Sequence, residues 1–205
     1  MSPQEYLRAT RLLARRDPVL AALIRRYGPC GMADAQKAGH FVALVQAITS
    51  QQLSVKAAST IYRRVAALFP LGTPNPEGLA QIPDDLLREA GLSRQKVAYI
   101  RDLAARVLDG RLALDALTDM DDERAIVAIT QVKGLGRWSA EMFLMFRLHR
   151  PDVLPVDDLG IVNAFQRNYR LRKRPTAERM RKLAESWRPY RSIGCWYLWR
   201  SLENS

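Results

Sequence analysis

Apolar residues recur three and four positions apart through most of the chain, the spacing of helices with one buried face, and strand-like alternation of useful length is missing. Several segments open on capping signatures. Ser2-Pro3 predicts a helix to about Arg16, Asp17-Pro18 one that stops at Gly28-Pro29, Ser54 one through Phe69, and Ser93 one to about Asp109-Gly110. Phe41 to Ser50 (FVALVQAITS) is mostly apolar and predicts a buried helix, Pro70 to Pro76 a turn-rich connection, and Pro83-Asp84-Asp85 a short helix ended by Gly91. Later helices are predicted from about Asp121 to Thr130, Arg137 to His149, Asp158 to Asn168, Thr176 to Trp187 and Arg191 to Glu203. The chain is therefore predicted to be all-α, without internal repeats or low-complexity tracts. Two helical lobes facing each other across a cleft are expected: a central lobe over 38–135, and a terminal lobe from 1–37 and 136–205, working as a single functional unit.

Composition narrows the class. At 205 residues, with 48% hydrophobic and 26% charged residues, the chain has the profile of a packed globular domain. Lys+Arg exceed Asp+Glu by 32 to 21, a net charge of +11, which points to a polyanionic partner, nucleic acid before an anionic membrane surface. Only six of the basic residues are lysines, and the arginine fork suits phosphate oxygens. Genomic base composition accounts for that bias equally well. Two distant cysteines, Cys30 and Cys195, cannot build a four-cysteine zinc or iron–sulfur site, and no disulfide framework is expected. The N-terminus lacks the apolar core of a secretory signal, and no run of apolar residues is long enough to span a membrane. A reducing, cytoplasmic setting is expected, nucleoid-associated in a bacterium, with no membrane partner.

Thr130 to Ala140 reads TQVKGLGRWSA, with helical pattern on both sides. Gly134 and Gly136 allow a tight turn and leave backbone N–H groups open to a phosphate, while the start of the next helix adds free N–H groups and a positive dipole end. A plain helix–helix turn accounts for the glycines alone. Leu135 between them, with Lys133 and Arg137 as flanks, favours a helix-hairpin-helix clamp that binds DNA backbone and reads no sequence. The helix that follows is apolar nearly all round, with Trp138, Met142 and Met145 on one face, a stripe that core packing also explains. Beyond it, in RPDVLPVDDLGIVNAF, Pro155 sets an extended entry and Asp157 and Asp158 stand where a helix starts. One aspartate suffices as a cap. A second, in so basic a neighbourhood, suggests chemistry that builds positive charge.

VKGLGRWSAEMF followed by PVDDLGI resembles the helix-hairpin-helix (HhH-GPD) base-excision DNA glycosylases, and within them the alkylbase branch of DNA-3-methyladenine glycosylase II type; QAITSQQLSVKAA and SWRPYRSIGCWYLWRS agree, so the similarity spans roughly 38 to 203. The resemblance implies that Asp158, three residues before Ile161, is the catalytic carboxylate and Asp157 the cap. It implies a base pocket lined by Trp138 and Trp199, with Met142 where some relatives carry an aromatic, and leaves Trp196 and Tyr197 to the core. It places a DNA wedge at Gln51-Gln52-Leu53, Gln52 matching best and Leu53 next. It assigns phosphate binding to Lys133, Gly134, Leu135, Gly136 and Arg137, and one alkali cation, sodium or potassium, to the backbone carbonyls of Thr130, Val132 and Leu135. Gly91 to Lys96 resembles a family stretch near DNA, although Ser93 as a helix cap explains part of it. No other cofactor is implied. Trp138 stands where strand-cleaving members carry a nucleophilic lysine, so a monofunctional enzyme is expected. The implied activity is excision of alkylated purines, 3-methyladenine and also 7-methylguanine and related bases, from duplex DNA by a monomer. The alternatives are a glycosylase for a deaminated or oxidised base and a non-catalytic DNA-binding protein.

Overall fold

The computed structural model describes residues 1–34 and 39–203. The first half of the chain forms α1 (Pro3–Arg16), α2 (Pro18–Tyr27), α3 (His40–Ser50), α4 (Val55–Ala66), α5 (Pro76–Gln81) and α6 (Asp84–Glu89). The second half forms α7 (Arg94–Leu108), α8 (Asp122–Thr130), α9 (Arg137–Phe146), α10 (Leu159–Asn168), α11 (Ala177–Leu183) and α12 (Arg191–Arg200). Short 3-10 turns run over Gly31–Asp34, Asp115–Thr118 and Ala184–Trp187, and the described residues contain no strand. The protein is all-α, as its hydrophobic pattern predicts.

The capping residues act as their chemistry dictates. Ser2 and Glu5 form a reciprocal capping box at α1, Asp17 accepts from Val19 and Leu20 at the start of α2, and the Ser54 and Ser93 hydroxyls accept from Ala57 and Lys96. Some ends differ from expectation. Helix α4 stops at Ala66, where the chain tightens into successive turns. Helix α9 stops at Phe146, because the Arg150 amide donates back to the Leu144 carbonyl and His149 takes φ +52°. Helix α11 gives way to the 3-10 turn after Leu183, and α12 ends at Arg200. Helix α5, not predicted from the pattern, starts where the connection over Pro70 to Pro76 ends, capped by Asn75 with Pro76 behind it.

The chain divides into two compact units, one from Met1–Gln36 with Leu144–Ser205 and one over Lys37–Phe143. The expected boundary near 37 falls outside the described residues. The second boundary lies inside α9, not at the hairpin as expected. The first turns of α9 belong to the central unit, where Phe143 lies against His40 at 5.6 Å and Arg137 is ion-paired to Glu123 of α8 at 2.5 Å.

The central unit is built around α7, which packs on α3, α5 and α6. Leu44 and Ile48 of α3, Leu79 of α5, Leu87 of α6, Ile100 and Leu103 of α7 and Ile129 of α8 have no exposed surface. In the terminal unit, α12 packs against α1, α2 and α10. Trp187 stacks on Phe165 at 5.2 Å and donates its indole N–H to Asp17 at 2.8 Å. A Cβ at Gly194 would stand 2.6 Å from that indole, so glycine lets α12 seat on it. Tyr197 is fully buried and donates to the Gly28 carbonyl at 2.8 Å, and Trp196 packs edge-on against it at 4.9 Å. Tyr197 serves the core, as expected, whereas Trp196 is only half-buried, with the Arg200 guanidinium over its ring at 5.7 Å.

Candidate active site

Helix α12 organises one half of the candidate residues. At its start, Arg191 grips the Asp152 carboxylate at 2.8 and 3.0 Å, and the Ser192 hydroxyl donates to Arg150 O at 2.7 Å and accepts from Val153 N at 2.9 Å. The loop that leads to the aspartate pair is thus pinned to α12 before it reaches Asp158. After Pro155 its last step is a turn over residues 156–157, closed by the Asp158 amide on Pro155 O at 3.1 Å. Two turns further along α12, Trp199 donates its indole N–H to Asp158 Oδ1 at 2.9 Å. Phe146 lies against the Trp199 ring at 5.8 Å.

Asp158, not Asp157, caps α10. Its Oδ1 accepts the Ile161 N–H at 2.7 Å, whereas Asp157 is exposed on the preceding turn. The expected division of labour between neighbours is therefore corrected: cap and candidate catalyst are one residue. An N-cap side chain has to reach its own N3 amide, and only Asp158 stands at that distance along the chain. The arrangement gives a half-buried carboxylate at the positive end of a helix, with its plane set by two donors.

Sequence reasoning overlooked Gly160. A Cβ there would stand 3.0 Å from Asp158 Oδ1 and 3.2 Å from Trp199 Nε1, so any side chain at 160 would push on the Asp158–Trp199 bond. The available signal was a glycine inside a helix's first turn, where most residues are better helix formers.

In the central unit, the hairpin between α8 and α9 is held by α7. Gly134 has φ +81°, and a Cβ on it would stand 2.0 Å from Tyr99 Cδ2, so glycine is required twice over. Gly136 faces open space, where a missing Cβ leaves the backbone reachable. Val132 and Leu135 are buried anchors, joined by the Leu135 N–H to Val132 O bond of 3.1 Å. The Lys133 amide donates to Asp102 Oδ2 at 2.9 Å, and its side chain is exposed. Burial pulls the Asp102 carboxyl upward, but the Lys133 amide and the Arg106 guanidinium outweigh it and hold it below the ordinary carboxylate value. Arg137 is bound to Glu123 at 2.5 Å and to Glu141 at 3.1 Å, and Glu123 is lowered mainly by that guanidinium. Lys133 and Arg137 are both exposed at the hairpin, Arg137 with its guanidinium held by two carboxylates.

The expected wedge loop belongs to the same unit. Gln51 does not point out of it: its amide donates to Gly134 O at 2.7 Å, tying the loop to the hairpin. Gln52 occupies the left-handed region at φ +58° and is exposed, and Leu53 is 38% exposed. Tip residues are therefore Gln52 and Leu53. On α9, Trp138 is 48% exposed and Met142 half-buried, while Ala140 and Phe143 are buried. About half of the Trp138 side chain faces outward, a large aromatic surface beside the buried Ala140 and Phe143. No cluster of three or more metal-ligating side chains exists among the described residues.

The family model for HhH-GPD superfamily base excision DNA repair proteins matches residues 45–189. DNA-3-methyladenine glycosylase 1 of Schizosaccharomyces pombe is 34% identical over 184 residues, covering 89% of this chain and 80% of that protein. Alkylbase DNA glycosidase-like protein mag2 of the same yeast is 29% identical over 199 residues, covering 96% and 93%. Among solved structures, S. pombe 3-methyladenine DNA glycosylase Mag1 in complex with abasic DNA matches with a TM-score of 0.84 at 31% identity, covering 95% of this chain and 96% of that one. A DNA-3-methyladenine glycosidase from Bacillus halodurans matches with a TM-score of 0.76 at 33% identity, covering 92% and 90%. The hairpin with its two glycines, the capped aspartate and the matched span agree, and the chain belongs to the HhH-GPD superfamily of base excision DNA repair proteins, on its alkylbase glycosylase side.

Proposed function

We propose that this protein is a monofunctional DNA glycosylase that releases alkylated purines, 3-methyladenine above all, from duplex DNA by hydrolysing the N-glycosidic bond. The observation that carries the reading is Asp158 fixed between the Ile161 amide and the Trp199 indole, in a chain that is 34% identical to a DNA-3-methyladenine glycosylase. The hairpin amides and Lys133 hold the DNA backbone, a salt-sensitive term that carries no sequence preference. Gln52 and Leu53 enter the stack as the damaged nucleotide turns out, which costs least where alkylation has weakened pairing.

A purine alkylated at N3 or N7 is cationic. It leaves with the electron pair of the C1′–N bond and departs neutral, so no general acid is needed at the base. Positive charge then develops on the sugar, and the Asp158 carboxylate is the counter-charge for it. Water forms the new C1′–O bond, and its proton passes to Asp158 and on to solvent. Products are the free base and an abasic site. Trp199 is assigned to the base pocket beside Asp158, and Trp138 and Met142 are pocket residues by the resemblance; a cationic purine over an indole gains about 0.5–2 kcal/mol. Trp138 in place of a nucleophilic lysine excludes a Schiff base at that position.

The hairpin suits an alkali cation. Thr130 is the last residue of α8, where carbonyls lack helical partners, and the oxygens of Thr130, Val132 and Leu135 are hard donors of the kind sodium or potassium takes. Such an ion would offset the negative end of α8 and stiffen the hairpin.

The test is mass spectrometry of bases freed from methylated duplex DNA. Release of methylated purines by the protein and its loss in Asp158→Asn is the expected result. The capping bond of Asp158 also suits a non-catalytic DNA-binding protein, and tight, salt-dependent DNA binding with no base released would select that reading.

A further inference from the structure

One row of three side chains on α7 holds two separate pieces of the central unit's surface, the end of α3 and the hairpin. Lys96 donates its ammonium to the carbonyls of Thr49 and Gln51, both at 2.7 Å, which lie at the C-terminal end of α3. Tyr99, about one turn on, packs its ring against Gly134 of the hairpin. Asp102, about one turn further, accepts the Lys133 amide at 2.9 Å and is itself held by Arg106 at 2.9 Å. The ring closes through Gln51, whose carbonyl is bound by Lys96 and whose side chain donates to Gly134 O at 2.7 Å. The loop tip and the hairpin are thus fixed to one rigid helix and to each other.

Capping alone does not require this. Carbonyls at an exposed helix end are satisfied by water, yet Lys96 is partly desolvated, enough to lower its ammonium below the ordinary lysine value, in order to reach them. The next residue, Gln52, stands at φ +58°, a conformation that a non-glycine residue keeps only where its surroundings hold it. A wedge has to push against the stack, and a loop free to recoil would slide off it.

We propose that Lys96 and Gln51 are positioning residues for nucleotide flipping. They lock the tip at Gln52 and Leu53 to the phosphate-binding hairpin at one offset, so that gripping the backbone and wedging the stack occur as a single event. This rests on the wedge and clamp roles given above.

The experiment uses the full chain with Lys96→Met, which keeps the aliphatic stem, and Gln51→Ala, which leaves α3 and α7 intact. Three measurements are made on each: affinity for undamaged duplex, fluorescence of a 2-aminopurine beside the lesion as a report of flipping, and single-turnover release of an alkylated purine. Release is measured both from a normal pair and opposite an abasic site, where there is no pairing to break. Both variants are expected to bind undamaged duplex within about threefold of the parent and to lose the flipping signal. Release from the normal pair is expected to slow by about tenfold or more, because flipping costs a few kcal/mol and each 1.4 kcal/mol is tenfold. Opposite the abasic site the rate recovers, and Lys96→Arg retains most of the paired-lesion activity. Equal loss on both templates, or no loss on either, overturns the proposal. Should Lys96→Met fail to fold, as seen by circular dichroism, Gln51→Ala decides alone. A Gln52→Ala/Leu53→Ala double variant separates the two levels: if it flips normally the wedge reading itself is wrong, whereas a flipping defect there with normal Lys96 and Gln51 variants removes only the coupling.

Discussion

Trp199 and Asp158 meet through a 2.9 Å hydrogen bond, 41 residues apart in sequence, and the oxygen that receives the indole N–H also receives the Ile161 amide at 2.7 Å. Two donors on one oxygen fix the carboxyl plane before any substrate arrives. Preorganisation of this kind lets a charge stabilise a transition state without reorganising as the reaction proceeds.

Asp158→Asn separates capping from chemistry. Asparagine caps a helix as well as aspartate but gives up the charge at the helix N-terminus and in the Trp199 bond, so unfolding free energy in urea should fall by only about 0.5–2 kcal/mol and the protein should stay folded. Single-turnover release of alkylated purine should fall by roughly 10²- to 10³-fold or more, since the counter-charge is gone. Asp157→Asn, on the exposed turn, should stay within about twofold of the parent. A reversed result would move the catalytic role to Asp157.

Trp199→Phe keeps an aromatic surface against Phe146 but removes the donor to Asp158. A hydrogen bond to a charged group contributes about 1.5–3 kcal/mol, so release should slow by roughly ten- to a hundredfold if that bond matters fully to the transition state. Duplex affinity should hold, because no phosphate contact is assigned to the indole. Parent-like release would show that the indole bond does not orient the carboxylate.

Gly160→Ala sets stability against activity. Alanine is favoured over glycine within a helix by about 0.5–1 kcal/mol, so the thermal midpoint should be unchanged or higher. The new Cβ would sit 3.0 Å from Asp158 Oδ1 and 3.1 Å from Trp199 Cδ1, and both must shift by a few tenths of an ångström. Small displacements at a reacting centre are costly, and about tenfold slower release is expected. Slower release with an intact melting curve is the diagnostic pair.

What the sequence made legible follows from the range of each interaction. Helix starts were readable because a cap and its partner amide lie three residues apart, as at Ser2, Asp17, Ser54 and Ser93. Helix α5 carried the same signature in Asn75-Pro76, but its six residues include Gly78 and are too short for a hydrophobic period to show. The Gln51 to Gly134 bond spans 83 residues, and no local pattern announces it; only the packed fold turns a supposed wedge residue into a strut. Arg137 likewise read as a phosphate ligand from its place beside the hairpin. That Glu123, 14 residues earlier, would claim it depends on how α8 and α9 pack.

Lys133 and Arg137 should therefore differ in DNA binding. Lys133→Ala should lower the slope of log affinity against log salt by about 0.9, the loss of one phosphate contact, with little change in stability. Arg137 is engaged by Glu123 and Glu141, so Arg137→Ala should change the slope less and instead lower the urea midpoint. Fluorescence anisotropy on an undamaged duplex at several salt concentrations distinguishes them. A full unit of slope lost in Arg137→Ala would mean that the guanidinium leaves its carboxylates for the DNA.

Alkaline pH should unfold the terminal unit through groups that do no chemistry. Burial pushes the Cys30 thiol up to about 12, and burial likewise pushes the Tyr6 and Tyr197 hydroxyls up to about 12. Folded protein keeps these protons at a pH where the unfolded chain has begun to release them, so the unfolded state binds fewer protons and stability falls as pH rises. Their contribution is intact below about pH 8.5, the ordinary thiol value, and is lost progressively toward pH 12 as the phenols join above about pH 10. Urea midpoints measured at pH 8, 10 and 11 should decline in that order. Cys30→Ala should flatten the first step. Tyr197→Phe, although it loses the bond to Gly28 and starts less stable, should flatten the second. The same burial predicts slow reaction of Cys30 with a maleimide at pH 8 in the folded chain and fast reaction in urea, since only the thiolate attacks; equal rates in both states would show that the thiol is not held in its neutral form.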